Sequence, residues 1–262
     1  MILCREDLDE KELQLFYKSN LAYFIRLGKK GFEEWFSKYY NHLKFLGRMR
    51  VLDVGCGVGQ VVNKLADEGI MAVGIDISPI GVRIANKFRS SPNAHFIVAS
   101  CYNMPFRDGV FNTVGCFDVL EHLNNPELCI DEMIRTASKN GNIIIASPNL
   151  LCPVYGRGFW EKIKNAKELI CRLLGLRKNL TFEHRRPILT ESIENLNHDF
   201  DAITIIDPIT VKSILTKKGV KITYRSSYLG SRRIIELLSK LPLLRSIGGG
   251  IFIVGRKSRS TH

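Results

Sequence analysis

The residues best suited to chemistry form a glycine-rich turn after a short apolar run at residues 51 to 54. The turn has the pattern Asp-x-Gly-x-Gly-x-Gly, whose named positions are Asp53, Gly55, Gly57 and Gly59. Glycines let the backbone approach a ligand closely, and the helix expected after the turn offers unpaired N–H groups. The dinucleotide fingerprint G-x-G-x-x-G is not met, because Gln60 occupies its last glycine position. The turn therefore predicts a site for a nucleotide-like ligand.

A second acid lies where such a ligand would need it. Asp76 ends the apolar run that follows the predicted helix, 19 residues beyond Gly57. This spacing suits a carboxylate that accepts both hydroxyls of a ribose at the carboxyl end of a strand. An aspartate before a helix is also a common helix cap, but its pairing with the glycine turn favours the ligand role.

Three histidines are candidates for proton transfer, because imidazole is the usual general base near neutral pH. His122 follows the fourth predicted strand, whereas His184 and His198 lie in a polar stretch beyond the fifth. His122 could instead hold its loop, and the other two could be surface residues. Asp118, Glu121 and His122 share one side of a helical turn, and with His184 they could bind Mg²⁺ or Mn²⁺. A divalent metal is allowed by these residues but is not the expected cofactor.

The elements that position these residues alternate between strand-like and helix-like patterns. Strands are predicted at 51–54, 71–75, 95–99, 113–116 and 142–147, with helices at 59–68, 79–89 and 126–138. Further helices are predicted at 159–174, 208–218 and 231–240, with strands at 220–226 and 251–254. This alternation predicts an α/β fold with a doubly wound parallel sheet covered by helices on both faces.

The motifs resemble those of the class I S-adenosylmethionine (SAM) methyltransferases. Leu120-Glu121-His122, Pro126 and Ser147-Pro148-Asn149 resemble the subfamily that includes ubiquinone-pathway O-methyltransferases and many small-molecule and glycan methyltransferases. The resemblance covers roughly residues 45 to 255 and is specific over 51–148. It implies a Rossmann-like seven-stranded sheet with an antiparallel last strand, and a helical insertion after strand five.

The resemblance also implies a cofactor and a reaction. The cofactor would be S-adenosylmethionine, with S-adenosylhomocysteine as product, and the acceptor an oxygen of a small molecule, a sugar or a lipid-linked precursor. Ser100 departs from the family, which usually has an acid there to contact the adenine amino group. His122 and His184 would be the catalytic candidates. The cofactor would contact Asp53, Gly55, Cys56, Gly57, Gly59, Asp76, Ile77, Ser100, Cys101 and Phe117.

The expected organisation has five parts. Residues 1–47 form a helical segment and a candidate cofactor lid, 48–148 the SAM-binding core, and 149–200 an insertion that forms the acceptor pocket or a lid. Residues 201–255 complete the sheet, and 256–262 form a disordered tail. The helix at 159–174 is amphipathic, so it could be a lid, an interfacial helix on a membrane, or a surface helix packed by its apolar stripe.

The net charge and the cysteine content indicate which partners and which cellular compartment to expect. The net charge of +12 arises beyond residue 150, because residues 1–150 contain 17 basic and 17 acidic residues. Such an excess attracts an anionic acceptor, an acidic membrane surface or, less favoured here, nucleic acid. Seven scattered cysteines without a C-x-x-C pair predict a reducing, cytoplasmic setting, with peripheral membrane contact allowed and no transmembrane segment.

Two alternative functions remain: a metal-dependent RNA 2′-O-methyltransferase and a non-catalytic SAM-fold binding protein.

Overall fold

A computed structural model describes residues 10–29, 34–47, 49–152, 159–177, 179–185, 201–228 and 248–258. The helices are α1 Glu10–Ser19, α2 Leu21–Lys29, α3 Glu34–Leu46, α4 Gln60–Asp67, α5 Pro79–Lys87, α6 Pro126–Thr136, α7 Phe159–Leu173 and α8 Pro208–Lys217. The strands are β1 Arg50–Val54, β2 Met71–Asp76, β3 Ala94–Val98, β4 Phe111–Phe117, β5 Ala137–Pro148, β6 Glu183–His184, β7 Thr204–Ile205, β8 Val220–Tyr228 and β9 Gly250–Lys257. A 3₁₀ turn, Leu120–His122, follows β4.

The main sheet has seven strands in the order β3-β2-β1-β4-β5-β9-β8. The strands from β3 to β5 are parallel, and β9 lies antiparallel between β5 and β8. The strand order reverses between β1 and β4, which is the switch point where open α/β sheets bind ligands. The prediction of a doubly wound, seven-stranded sheet with an antiparallel last strand is confirmed.

Helices cover both faces of this sheet, so the inner strands are apolar on both sides. Successive side chains of β1 alternate between the faces. On one face, under α6 and α8, the buried residues include Leu52, Val114, Met133, Ile145 and Leu215. On the other, under α3 and α4, they include Tyr39, Leu43, Val62, Leu65 and Phe252.

Two helices begin with residue types that are typical of a helix start. Ser78 caps α5 by accepting a hydrogen bond from the N–H of Gly81, and Pro79 occupies the first helical position. Asp207 caps α8 by accepting two backbone N–H groups, and Pro208 follows it. A side-chain acceptor satisfies N–H groups that lack a partner within the helix, which fixes where each helix begins.

Several boundaries differ from the prediction. The fifth strand begins at Ala137 rather than at residue 142, and α6 ends at Thr136. A two-residue strand, β6, lies within residues 149–200, where no strand was expected, and it pairs with β7, which begins after residue 200. The expected disorder from residue 256 is wrong for its first residues, since Arg256 pairs with Asn142 and Lys257 with Val220. The helix predicted at 231–240 and residues 259–262 lie outside the described residues. Among the described helices, none is long and apolar enough to cross a membrane.

Candidate active site

The glycine turn joins β1 to α4 at the carboxyl edge of the sheet. Gly55, Gly57 and Gly59 have positive φ angles of 75°, 53° and 78°, a conformation that favours glycine. The N–H of Gly55 donates to the carbonyl of Ile75 on the neighbouring strand, at 2.8 Å. A Cβ atom on Gly59 would lie 2.5 Å from the ring of Phe96. The sequence therefore needs glycine at these positions for both backbone conformation and space.

Asp76 ties the glycine turn to the end of β2. Its Oδ2 accepts the N–H of Gly57 at 2.9 Å, and its Oδ1 accepts the N–H of Ser78 at 2.8 Å. Ile77 lies between the two anchored residues. Burial raises the pKa of Asp76, against the effect of these two hydrogen bonds. Each carboxylate oxygen has a further acceptor position, so the group can still receive hydroxyl donors from a ligand.

Asp53 is buried beneath the turn, next to a tyrosine of the N-terminal helices. Its Oδ1 accepts the hydroxyl of Tyr39 at 2.6 Å. Burial raises the pKa of Asp53 to about 7, although the Tyr39 hydrogen bond acts in the opposite direction. Gly115 on the adjacent strand makes room for this contact, because a Cβ atom there would lie 2.4 Å from the Tyr39 hydroxyl. Phe117 packs on the Tyr39 ring, with centroids 5.3 Å apart.

The segment after β3 places Ser100 and Cys101 at the same edge. The Ser100 hydroxyl oxygen accepts the N–H of Tyr102 at 3.2 Å, so it already caps its own turn. Both Ser100 and Cys101 are partly buried. A hydroxyl keeps one donor and one more acceptor position, so Ser100 can form a neutral hydrogen bond where the family usually has a charged one.

His122 lies between two carboxylates. Its Nδ1 is 3.7 Å from Oδ2 of Asp201, and its Nε2 is 3.8 Å from Oε1 of Glu121. Tyr17 of α1 donates its hydroxyl to the same Asp201 oxygen at 2.5 Å, and its ring meets the imidazole edge-on at 5.7 Å. Both acids would stabilise a positively charged imidazole. This cluster joins the N-terminal helices, the turn after β4 and the segment before β7.

Glu121 connects the turn after β4 to β5 and to the segment before β7 by hydrogen bonds in the protein interior. It is fully buried, and its Oε2 accepts the hydroxyl of Ser147 at 2.9 Å. Its backbone carbonyl accepts the N–H of Ile203 at 2.8 Å. The Leu-Glu-His and Ser-Pro-Asn motifs, which are 26 residues apart at these two positions, therefore meet through one side-chain hydrogen bond.

The structure separates His184 from His122. His184 is exposed on β6, and its Nδ1 lies 3.2 Å from the Thr204 hydroxyl. That hydroxyl donates to the carbonyl of Leu123, next to His122. Within the ranges that the structure describes, no group of three or more His, Cys, Asp or Glu side chains is arranged to hold a metal ion. His198 lies outside those ranges.

Helices α1 and α2 lie across the glycine turn. Ser78 donates its hydroxyl to the carbonyl of Tyr17 at 2.8 Å, and Gln60 donates its side-chain amide to the carbonyl of Gly28 at 3.2 Å. A Cβ atom on Gly57 would lie 2.8 Å from Leu27, so α2 packs directly against the turn. The N-terminal helices therefore contact the elements that would hold a ligand.

Acidic side chains surround Tyr23 at the carboxyl edge of the sheet. Burial raises the pKa of the Tyr23 hydroxyl, and the negative charges of Asp201, Asp76, Asp118 and Glu121 raise it further, in that order. Four carboxyl groups from distant parts of the sequence thus act on one side chain. A pocket edge lined by acids favours a cationic ligand.

Sequence reasoning missed three participants: Tyr17, Tyr39 and Asp201. The two tyrosines stand in N-terminal segments whose aromatic residues have helical spacing, which signals a packed helix and says nothing about a hydroxyl partner. Asp201 stands in a stretch of five acids and no basic residues at 191–210, a signal without positional detail. Only the fold brings these residues together.

Comparison with known proteins finds similarity to methyltransferases. Residues 47–219 match a family profile described as a methyltransferase domain. Tocopherol O-methyltransferase of Arabidopsis thaliana is 29% identical over 68% of this chain and 53% of its own length. Ubiquinone biosynthesis O-methyltransferase of Rickettsia akari is 26% identical over 58% of this chain and 64% of its own. This chain thus spans about half of the first relative and less than two thirds of the second.

The fold has solved counterparts. Magnesium protoporphyrin IX methyltransferase from Synechocystis, in a structure with bound SAM, superposes with a TM-score of 0.56 at 15% identity. The superposition covers 97% of this chain and all of the other. At this level of identity the likeness concerns the fold.

Proposed function

This chain belongs to the family of methyltransferase domains, and from that premise we propose that it transfers a methyl group from S-adenosylmethionine to an oxygen of its acceptor. The acceptor class is a small molecule, a sugar or a lipid-linked precursor. Two of the similar proteins are named as O-methyltransferases, which supports oxygen as the receiving atom. No observation on the described residues favours RNA as acceptor or a purely binding role.

One observation carries the proposal: the Asp76 carboxylate is anchored to the N–H of Gly57 at 2.9 Å. This contact holds a carboxylate that could accept ribose hydroxyls beside a turn whose positive φ angles favour glycine. S-adenosylmethionine carries positive charge on its sulfonium and amino groups, and four acids act on Tyr23 at the same edge. The residues present therefore fit this cofactor in hydrogen-bonding groups and in charge.

We assign the cofactor contacts to residues at the carboxyl ends of the first four strands. Asp76 would accept the ribose hydroxyls, and the turn backbone would pass beside the methionine part. The segment at Ser100 and Cys101 would face the adenine. The full proposed set is Asp53, Gly55, Cys56, Gly57, Gly59, Asp76, Ile77, Ser100, Cys101 and Phe117.

His122 is the proposed general base. When bound, the cofactor supplies a methyl group on a positively charged sulfur. The acceptor oxygen would take that methyl as the carbon–sulfur bond breaks and its electron pair stays on sulfur, and the proton of the acceptor must leave. His122 can take the proton, because Asp201 and Glu121 at 3.7 and 3.8 Å stabilise the imidazolium that results. His184, exposed and bound to Thr204, is the second candidate and would act on the acceptor from the insertion.

The flanking segments have proposed roles as well. Residues 1–47 would act as a lid, supported by the contacts of Tyr17, Leu27 and Gly28 with the turn and with α5. Residues 149–200 would shape the acceptor pocket.

Six described cysteines are free thiols, which supports a reducing compartment such as the cytoplasm.

The test is formation of S-adenosylhomocysteine from SAM with a panel of phenols, sugars, lipid-linked precursors and RNA, with and without Mg²⁺. We expect turnover with an oxygen acceptor, and His122→Gln should lower kcat by about 10²-fold or more while leaving SAM binding unchanged. His184→Gln serves as the matched histidine variant. An active His122→Gln enzyme would refute the assigned base, and absence of SAM binding would refute the proposed function.

A further inference from the structure

Helix α7 packs with its polar side inward. Its buried residues are Asn165, Leu169 and Arg172. Five large apolar residues are exposed instead, and they form what we term the outer face: Phe159, Trp160, Ile163, Ile170 and, just past the last turn, Leu174. An amphipathic helix on a globular protein normally turns its apolar stripe to the core, so this orientation is reversed.

A buried ion pair and a partly exposed one, both made by Arg172, fix this orientation. Arg172 donates to Oδ2 of Asp207 at 2.8 Å and to Oε1 of Glu183 at 2.6 Å. About two turns earlier, Asn165 donates its side-chain amide to the carbonyl of Leu150 at 3.1 Å. Rotating the helix to bury its apolar residues would leave a buried Asp207 without its cation, which is strongly unfavourable. The outer face is therefore held outward by the rest of the domain.

The outer face is exposed to an unusual degree. Trp160 is 79% exposed, Phe159 70% and Leu174 68%. The two aromatic rings meet edge-on, with centroids 5.4 Å apart. Single exposed apolar residues are ordinary, but a contiguous set on one helix face marks an interaction surface.

The charges around this face identify the kind of partner. Lys162, Lys164 and Lys167 are all exposed along α7. Lys164 and Lys167 also line a hollow of about 390 Å³ beside the helix. Of the two acids on α7, Glu161 and Glu168, the second is engaged by Arg172 and Arg177. The outer face thus combines exposed aromatic and aliphatic side chains with three exposed lysines.

We propose that the outer face of α7 docks on an anionic lipid bilayer. Phe159 and Trp160 would enter the headgroup region, and the three lysines would meet lipid phosphates, the arrangement of an interfacial amphipathic helix. A second copy of this chain is a poorer occupant, because the lysines of two such faces would repel each other. The proposal does not depend on methyl transfer.

Co-sedimentation of the full chain with vesicles tests the proposal. We expect binding to vesicles of phosphatidylcholine mixed with phosphatidylglycerol, weak binding to phosphatidylcholine alone, and loss of binding in high salt. Replacing Lys162, Lys164 and Lys167 together by Gln should weaken binding about a hundredfold, at about fivefold for each charge near the surface. Trp160→Ser should weaken it at least tenfold. Phe88→Ser is the control, since Phe88, just after α5, is 67% exposed.

A second readout separates docking from a general loss of structure. Trp160 is one of two tryptophans, so a Trp35→Phe chain reports Trp160 alone, and its emission should shift to the blue on anionic vesicles. The proposal is overturned if the wild type ignores anionic vesicles, or if the lysine and Trp160 variants bind as the wild type does. Self-association in solution that Trp160→Ser abolishes, without vesicle binding, would overturn it and assign the face to a second copy.

Discussion

Asp53 makes the stability of this protein depend on pH in a direction opposite to that of most surface acids. Burial raises its pKa from 3.8 to about 7 in the folded protein. The folded state therefore keeps a proton that the unfolded chain releases as the pH rises above 3.8. The free energy of unfolding from this group is highest at low pH and falls until the pH exceeds the folded-state pKa. Asp53→Asn removes this dependence, because an amide does not titrate.

The magnitude follows from the size of the shift. A pKa that moves from 3.8 to about 7 changes by about 3 units, each equivalent to about 1.4 kcal/mol, so the full effect is about 4 kcal/mol. About 2.6 kcal/mol of it should be lost between about pH 5 and about pH 8. Asp53 is 4% exposed, so solvent screening does not reduce the effect appreciably.

Urea unfolding across this pH range gives the free energy of unfolding of the wild type and of Asp53→Asn, and their difference at each pH measures the contribution of Asp53. The control is Asp67→Asn, which changes an exposed acid on α4 that Ser90 contacts. We expect the wild type to lose stability relative to Asp53→Asn as the pH rises, and to keep a constant difference from Asp67→Asn. A wild type that gains stability relative to Asp53→Asn would refute the reasoning, since it would mean that Asp53 is stabilised as an anion.

Three further substitutions test the packing around the site. Gly59→Ala should lower the free energy of unfolding by about 1–3 kcal/mol, which is more than Gly69→Ala should cost. Both glycines have positive φ, but only a Cβ atom on Gly59 would lie 2.5 Å from a ring. Equal losses of stability in thermal unfolding would contradict this prediction. Arg172→Met should cost about 3–5 kcal/mol in urea unfolding by leaving a buried carboxylate unpaired, and a loss below about 1 kcal/mol would show that the network is dispensable. Tyr17→Phe removes the hydrogen bond to Asp201, so amide exchange in α1 should accelerate about tenfold, whereas unchanged exchange would mean that this bond does not hold the helix.

The sequence was sufficient for the fold and the position of the candidate site. The alternating apolar runs predicted the doubly wound sheet, and the motifs predicted its antiparallel last strand and membership of the methyltransferase family; these predictions are confirmed. The roles of individual site residues stay predictions, because they concern ligands.

What the sequence could not provide are contacts between distant residues. Tyr39 reaches Asp53 from 14 positions away, and Tyr17 reaches Asp201 from 184. Neither hydroxyl differs in the sequence from one that only packs. The same limit explains α7: its periodicity shows two faces but not which one turns inward. Packing by the apolar stripe, one of the alternatives for this helix, is wrong because Arg172 anchors the polar face to Asp207.

The central claim is that the turn and Asp76 hold S-adenosylmethionine, and calorimetric titration of the full chain with SAM tests it most directly. We predict saturable binding by the wild type, and at least tenfold weaker binding by Asp76→Asn, which loses the charge and one acceptor oxygen. The exposed acid variant Asp67→Asn should bind as the wild type does. No binding by the wild type, or equal binding by Asp76→Asn with its fold intact, would contradict the account.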